Sequence, residues 1–535
     1  MNRLAAPQPY VQNLQALTWS PGSRTVRVGR MNAASGLTRW ARHDPGRVAV
    51  LFEGRQLSYG ELDGLADRVS GALRARGVRR GDRVAVHLPN IPEFVVCYLG
   101  IVRAGAIAVS INPSLTKPEV TFLLEDSGAR ACFTTEAGNE AIDLPGLPAL
   151  EHVVVCEGSG RPSLDDWTGT AEPAPALAMD PGDPAVILYT SGTTGKPKGA
   201  TLTHANLESN SWAAVHHCGF RPGDRLILFL PLFHVFGQNF VTNSGLRAGA
   251  AVVLHRRYVQ DAVLESIRRD EVTKFFAVPT IYINLLAAGL EPADLGSVTY
   301  EFSAAATLPA EIGARWESRF GRPIYEGYGL TETSPFACYN HDIARRPGTV
   351  GTAIENFELR IVDEFDQPVE PGAWGEIVIR GPGVMQGYWE RPDETAQALR
   401  GGWFHSGDIG TMDDDGYVAI VDRVKDMINV SGFKVWPAEV EAAFYTHPAV
   451  LEAAVYGVPD RVRGERVSAA VTLRTGHQAS PEGLRRHLQG QVATYKMPET
   501  IEIVQQLPKG ATGKILKREL RAAAAARPPV RDEHR

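Results

Sequence analysis

The chain has 535 residues, room for roughly three to four domains, and its 44% hydrophobic and 22% charged residues give a globular balance. The 53 glycines and 36 prolines follow no period, which excludes a collagen-like or low-complexity chain and points to many tight turns. The net charge of −6 argues against a general nucleic-acid binder, which needs a basic surface.

Residues 1–30 show no hydrophobic period and lack the basic-then-apolar profile of a signal peptide. From there the pattern becomes regular. Ser58 and Glu61 have capping-box spacing ahead of the apolar stripe Leu62, Leu65, Val69 and Leu73, with Gly77 as the stop. A strand at 84–88, a helix at 92–104 and a strand at 107–111 follow. The longest apolar stretch, 95–111, is broken by Arg103 and Gly105 and falls short of a membrane span. Strands are predicted at 185–189, 226–230, 251–254 and 274–278. Between and after them come helices capped by Asp261, begun at Thr280, and opened by Pro309 and closed by Gly321. This alternation implies parallel sheets covered by helices.

From residue 358 the pattern changes to short strands at 358–362, 376–380 and 417–421 between turns, which reads as a small β module. Asp413-Asp414-Asp415 there is an ordinary turn, without calcium-loop spacing. A mixed segment ends in a helix from about residue 514. The five cysteines, Cys97, Cys132, Cys156, Cys218 and Cys338, form no Cys-x-x-Cys pair, so a reduced, cytoplasmic chain is expected.

One loop stands out: Tyr189-Thr190-Ser191-Gly192-Thr193-Thr194-Gly195-Lys196-Pro197-Lys198-Gly199, directly after a buried strand. Glycines allow close backbone approach, while hydroxyls and two lysines suit phosphate oxygens. It is not a Walker A loop, because the glycine spacing is short and Pro197 stands where Ser or Thr is required. Four more motifs follow in order: Pro231-Leu232-Phe233-His234; Tyr325-Glu326-Gly327-Tyr328-Gly329-Leu330-Thr331-Glu332; Trp403-Phe404-His405-Ser406-Gly407-Asp408; and Asp422-Arg423-Val424-Lys425 with Gly510-Ala511-Thr512-Gly513-Lys514.

With these motifs the chain resembles the adenylate-forming superfamily of acyl- and aryl-CoA synthetases, luciferases and peptide-synthetase adenylation domains. In motif it is closest to fatty-acyl and coumaroyl-type CoA ligases. The resemblance implies an α/β protein: a large N-terminal domain (1–422) of parallel-type sheets with helices and a β module at about 352–422, then a small mobile α+β domain (423–535). It implies an acid–thiol ligase acting on an apolar fatty or aryl acid with ATP, Mg²⁺ and coenzyme A, through an acyl-adenylate. Alternatives are an adenylating enzyme with another acceptor, such as a carrier-protein thiol or an amine, or one activating a small oxyanion. A non-catalytic nucleotide sensor is more remote, since Glu332, Asp408, Arg423 and Lys514 are all present. No nucleic-acid partner or membrane span is expected, and the oligomeric state is open.

The same resemblance assigns roles. Thr190, Ser191, Gly192, Thr193, Thr194, Gly195 and Lys198 would hold the phosphates. Tyr328 would stack on adenine facing a strand that includes Ala305, with Gly329 beside it. Thr331 would bond the α-phosphate and Glu332 would hold Mg²⁺. Asp408 would accept from the ribose hydroxyls, with Arg423 nearby. His234 would line or gate the acyl pocket, Lys514 would bridge the α-phosphate and the carboxylate, and Lys425 would be the hinge. Ser431 and Gly432 would meet coenzyme A in its tunnel. Phe236, Phe240, Phe302 and Phe336 fall near pocket-wall positions, with no Lys or Arg among them to pair with a second carboxylate. Where relatives carry Gly-Gly-Ala-Pro, this chain reads Ala304-Ala305-Ala306-Thr307, which is expected to narrow the carboxylate end of the pocket.

Overall fold

The computed structural model describes residues 29–142, 144–160, 162–190, 196–423, 426–460, 462–510 and 513–525. Ser191, Gly192, Thr193, Thr194, Gly195 and Lys425 lie outside the described residues, as do residues 1–28, Ala511, Thr512 and the tail from 526.

The capping box at Ser58 is formed: its hydroxyl accepts from the Glu61 N–H, and the Glu61 carboxylate accepts from the Ser58 N–H at 2.8 Å. The helix Tyr59–Ala75 that it opens packs against the helix Pro92–Arg103. The apolar run through Arg103 is an interior helix. The Arg103 side chain is 1% exposed and pairs with Asp63 at 2.5 Å and Asp67 at 2.7 Å on the neighbouring helix. Among the described residues no helix is long and apolar enough to cross a membrane.

The large N-terminal domain is α/β. A seven-stranded sheet runs Gly387–Tyr388, Lys198–Thr203, Pro184–Thr190, Ile107–Ser110, Arg83–His87, Ala131–Thr135, His152–Glu157. Its last five strands are parallel and the first two antiparallel. A nine-stranded sheet places Val48–Phe52 beside Ala251–Leu254, with Val50 opposite Val252. It then runs parallel through Arg225–Leu228, Lys274–Ala277, Tyr300–Ser303 and Ile324–Tyr328. The short strands Cys338–Tyr339 and Thr352–Ala353 complete that edge. The predicted β module is the antiparallel sheet Glu358–Val362, Gly375–Arg380, Phe404–Met412, Val418–Arg423. Its strand Phe404–Met412 carries the motif residues from Phe404 to Asp408.

The smaller C-terminal α+β domain is built on the antiparallel pair Val450–Asp460 and Gly464–Leu473, with Thr500–Ile503 parallel to the latter. It has its own apolar core around Ile428, Val440, Phe444, Val455 and Leu484. It meets the large domain where the Trp374 and Trp436 rings lie 6.0 Å apart and the Ala438 N–H donates to Asp422 at 2.9 Å.

Three local expectations are corrected. Asp261 does not cap its helix: Val259 occupies the N-cap of Gln260–Arg269, and Asp261 lies in the first turn, where its charge complements the helix dipole. The last helix is Lys517–Ala525, because Gly513 sits at φ +79° in a turn closed by the Gly510 N–H to Lys514 carbonyl bond, 2.9 Å. The strand Tyr300–Ser303 ends before Ala305, so Ala304, Ala305 and Ala306 are not strand residues. The Asp413 turn holds as read: its carboxylate accepts from the N–H groups of Asp415 and Tyr417 at 3.0 and 2.9 Å, and Arg346 pairs with Asp413 and Asp415.

Candidate active site

The loop at 191–195 joins two antiparallel strands whose last paired residues are Thr190 and Lys198. Both strand ends are tied down. The Tyr189 hydroxyl donates to Asp126 at 2.7 Å, and Asp126 also pairs with Arg391. The Lys198 ammonium lies 5.4 Å from the Tyr388 ring centre. The Trp389 N–H donates to the Gly199 carbonyl at 2.7 Å, and a Cβ at Gly199 would meet Ile187 at 2.6 Å.

Glu332 faces this hairpin. It follows the strand Ile324–Tyr328 in the single turn Thr331–Thr333, which is buried. Its Oε1 accepts from the Tyr388 hydroxyl at 3.0 Å and the Thr190 hydroxyl at 3.4 Å. Burial raises the Glu332 carboxyl, with Tyr388, Thr190 and the Arg423 charge pulling the other way. The buried side chain of Asn210 holds the turn after it, donating to the carbonyls of Thr333 (3.1 Å) and Phe336 (2.7 Å). The donor chemistry fits a hard cation: one carboxylate flanked by two hydroxyls. Among the described residues no three His, Cys, Asp or Glu groups form a metal cage.

Next to it lies a second set. The Tyr328 hydroxyl donates to Asp408 Oδ2 at 2.7 Å, and Arg423 Nε lies 3.2 Å from Asp408 Oδ1. Asp408 and Arg423 are register partners on adjacent strands. Gly407, at φ +69°, donates its N–H to Glu376 at 2.9 Å, and the Asp408 N–H is held by the Ser406 hydroxyl at 3.0 Å. Asp408 is thereby fixed, and each of its oxygens keeps acceptor capacity for a further donor.

The third set joins the two domains. His234 opens the π-helical turn Phe236–Asn243, and its Nδ1 accepts from the Phe236 N–H at 3.3 Å. Burial first, and the Lys514 charge second, push its imidazole down to about 4, so the ring is neutral near pH 7. Lys514 thus stands near His234. Its loop docks on the start of the helix Pro279–Ala287: the Thr280 hydroxyl donates to the Gly513 carbonyl at 3.4 Å, and a Cβ at Gly513 would lie 3.1 Å from Val278. Behind His234 the four phenylalanines converge. Phe240 stacks on Phe302 at 5.0 Å and meets Phe236 and Phe336 edge-on at 5.3 and 5.1 Å. All four are buried.

The fold therefore brings together Thr190, Lys198, Tyr328, Thr331, Glu332, Asp408 and Arg423, and the Lys514 charge is felt at His234 across the domains. It does not bring Ser431 and Gly432 to them. Those residues form the exposed turn of the hairpin Ile428–Val430/Phe433–Val435, at φ +52° and +89°. Ala305 is exposed at φ +71°. Sequence reasoning missed Tyr388 and Asn210, because single polar residues outside a motif carry no local signal; the antiparallel strand that delivers Tyr388 is only two residues long.

Comparison with known proteins gives one direction. Residues 37–389 match the AMP-binding enzyme family and residues 439–514 match the AMP-binding enzyme C-terminal domain. The chain is 38% identical over 493 residues to a feruloyl-CoA synthase of Amycolatopsis sp, covering 91% of this chain and 98% of that one. It is 35% identical over 520 residues to a long-chain-fatty-acid–CoA ligase of Bacillus subtilis, covering 90% and 93%. Among solved structures, an anthranilate CoA ligase in complex with anthranoyl-AMP superposes with a TM-score of 0.87 at 33% identity, covering 93% of this chain and 98% of that one. ATP-bound MatB from Rhodopseudomonas palustris superposes with a TM-score of 0.87 at 34% identity, covering 93% and 99%.

Proposed function

The chain belongs to the AMP-binding enzyme family and is an ATP-dependent, AMP-forming acid–CoA ligase, and from that premise we propose that its acid is an apolar fatty or aryl carboxylate. The observation that supports this reading is the buried cluster of Phe236, Phe240, Phe302 and Phe336 that follows His234 in the chain, four aromatic side chains packed on one another with no Lys or Arg among them. The relatives named for ferulate and long-chain fatty acids activate acids of that class.

In the first step a carboxylate oxygen attacks the α-phosphorus of ATP, and the bond to pyrophosphate breaks. In the second, the sulfur of coenzyme A attacks the acyl carbon and AMP leaves. Both steps concentrate negative charge, so fixed donors and cations are what the protein must supply. Thr190, Lys198 and the 191–195 loop would hold the β- and γ-phosphates. Thr331 would bond the α-phosphate, and Tyr328 with Gly329 and Ala305 would enclose the adenine. Asp408 and Arg423 would hold the ribose. Glu332 would hold a magnesium ion, which when bound neutralises phosphate charge. Neutral His234 would line the entrance of the acyl pocket without competing for the carboxylate's counter-charge. Lys514, a compact ammonium on a flexible stem, would bridge carboxylate and α-phosphate.

The two sides of the small domain divide the labour in this reading. Residues 1–422 would bind ATP and acid, and residues 423–535 would turn about Lys425. The arrangement with Lys514 near His234 serves adenylation. The exposed turn at Ser431 and Gly432 is then free to meet coenzyme A after rotation. ATP–pyrophosphate exchange over fatty, cinnamic, benzoic and malonic acids tests the substrate class. An apolar acid should support exchange, and CoA should then yield its thioester. Exchange with malonate alone would overturn the reading.

A further inference from the structure

Tyr388 stands where the two halves of the phosphate-binding hairpin meet the acid that faces them. We propose that Tyr388 is a positioning residue that holds the Glu332 carboxylate in its metal-binding orientation and couples it to the phosphate hairpin; this rests on the reading of Glu332 as the magnesium ligand.

Four observations converge. The Tyr388 hydroxyl donates to Glu332 Oε1 at 3.0 Å, on the same oxygen that Thr190 reaches. The Tyr388 ring faces the Lys198 ammonium at 5.4 Å, so one side chain touches both the acid and the far strand of the hairpin. Its backbone is fixed independently: Tyr388 pairs in register with Ala200, and its N–H donates to the Thr395 hydroxyl at 2.9 Å. Gly387 makes this placement achievable. Its φ is +155°, and a Cβ there would stand 2.6 Å from Thr395 Cγ2. The tyrosine is thus aimed by its backbone, and not by the acid it contacts.

A glutamate without such a partner samples several rotamers, and binding a cation would have to select one. Outer partners that orient a metal ligand typically change metal affinity or activity by about 10–100-fold when removed. The same carboxylate would be oriented for a cation when Thr190 and Tyr388 both hold it, and Tyr388 is itself packed against Lys198. In this arrangement the ion and the phosphates are received together.

Tyr388→Phe isolates the claim, since it removes one hydroxyl and leaves the ring against Lys198. Binding of Mn²⁺ to the full chain, with a non-cleavable α,β-methylene ATP analogue present, is followed by electron paramagnetic resonance. The dissociation constant should rise about 10-fold in Tyr388→Phe, while metal-free affinity for the analogue and the melting temperature stay near wild type. The magnesium concentration for half-maximal pyrophosphate exchange should rise in parallel, with the KM for the acid unchanged. Thr395→Val, which removes one of the two holds on the Tyr388 backbone, should move Mn²⁺ affinity in the same direction. If Tyr388→Phe binds Mn²⁺ as tightly as wild type while Glu332→Gln does not, Tyr388 has no positioning role and the Glu332 reading survives. If Glu332→Gln also binds Mn²⁺ normally, both fall.

Discussion

At the scale of single residues, two positions make separable demands. Lys514 is held close enough to His234 for its charge to act there, by a glycine-bounded loop and not by helix packing. Loss of one charge-stabilising group costs about 10²–10³ in rate. Lys514→Ala should slow adenylate formation by about that factor and spare transfer from a prepared acyl-adenylate to CoA. Single-turnover kinetics of each half-reaction decide it, and equal impairment of both would contradict the division of labour. Ala305 is the opposite case, a residue in a conformation its side chain resists. A left-handed φ costs an L-residue about 1–2 kcal/mol, against the entropy cost of glycine of roughly 0.5–1 kcal/mol. Its side chain is exposed at φ +71°, so little packing is lost on removal. Ala305→Gly should therefore stabilise the large domain by about 0.5–1 kcal/mol, read as a rise in urea midpoint at unchanged slope. No motif marks this strain, since four small residues in a row fit strand and turn alike.

At the scale of elements, local rules worked where they are local. The capping box at Ser58, the Gly321 stop at φ +70° and the buried parallel strands were all legible, because period and caps fix them. The site was legible to the extent that motifs are contiguous: Glu332, Asp408 and Lys514 each sit in one. What was hidden depends on partners distant in sequence. The return strand Lys198–Thr203 and its two-residue neighbour Gly387–Tyr388 are set by sheet pairing. The π-helical turn Phe236–Asn243 is set by packing of Phe240 among five other rings. That turn makes a prediction. Phe240 is buried, and Phe240→Ala should destabilise the large domain by about 3–5 kcal/mol. The cavity left at the centre of the wall should raise kcat/KM for bulkier cinnamic acids relative to benzoic acids. An unchanged ratio would place Phe240 in the core alone.

At the scale of the whole molecule, buried imidazoles and buried carboxyls together set the response to acid. His87, His204 and His234 are each held down to about 4 from an ordinary 6.5, in every case chiefly by burial. The unfolded chain takes up protons near pH 6.5 that the folded chain refuses. The stability these groups contribute is therefore complete above that pH and lost as pH falls toward 4. Each steepens the fall by at most about 1.4 kcal/mol per pH unit. Glu355, held down to about 2 first by its hydrogen bond with His217, adds to the loss below pH 4.5. Glu301 and Glu326, raised by burial to about 7 and about 8, act in the opposite sense, because the folded chain takes up their protons before the unfolded chain does. The melting temperature should therefore fall most steeply below pH 5, where these carboxyls are already protonated, and a profile flat down to pH 4 would contradict the burial assigned to these rings. A different consequence follows from the strand Val48–Phe52. It pairs with Ala251–Leu254, and Tyr59, just beyond it, donates its hydroxyl to the Ala250 carbonyl at 2.7 Å. During synthesis at roughly 5–20 residues per second, about 200 residues must emerge before that partner exists, on the order of 10–40 s. For that interval one edge of the strand can close at once on the neighbouring strand Arg55–Ser58, while its other edge stays open until Ala251–Leu254 has been made.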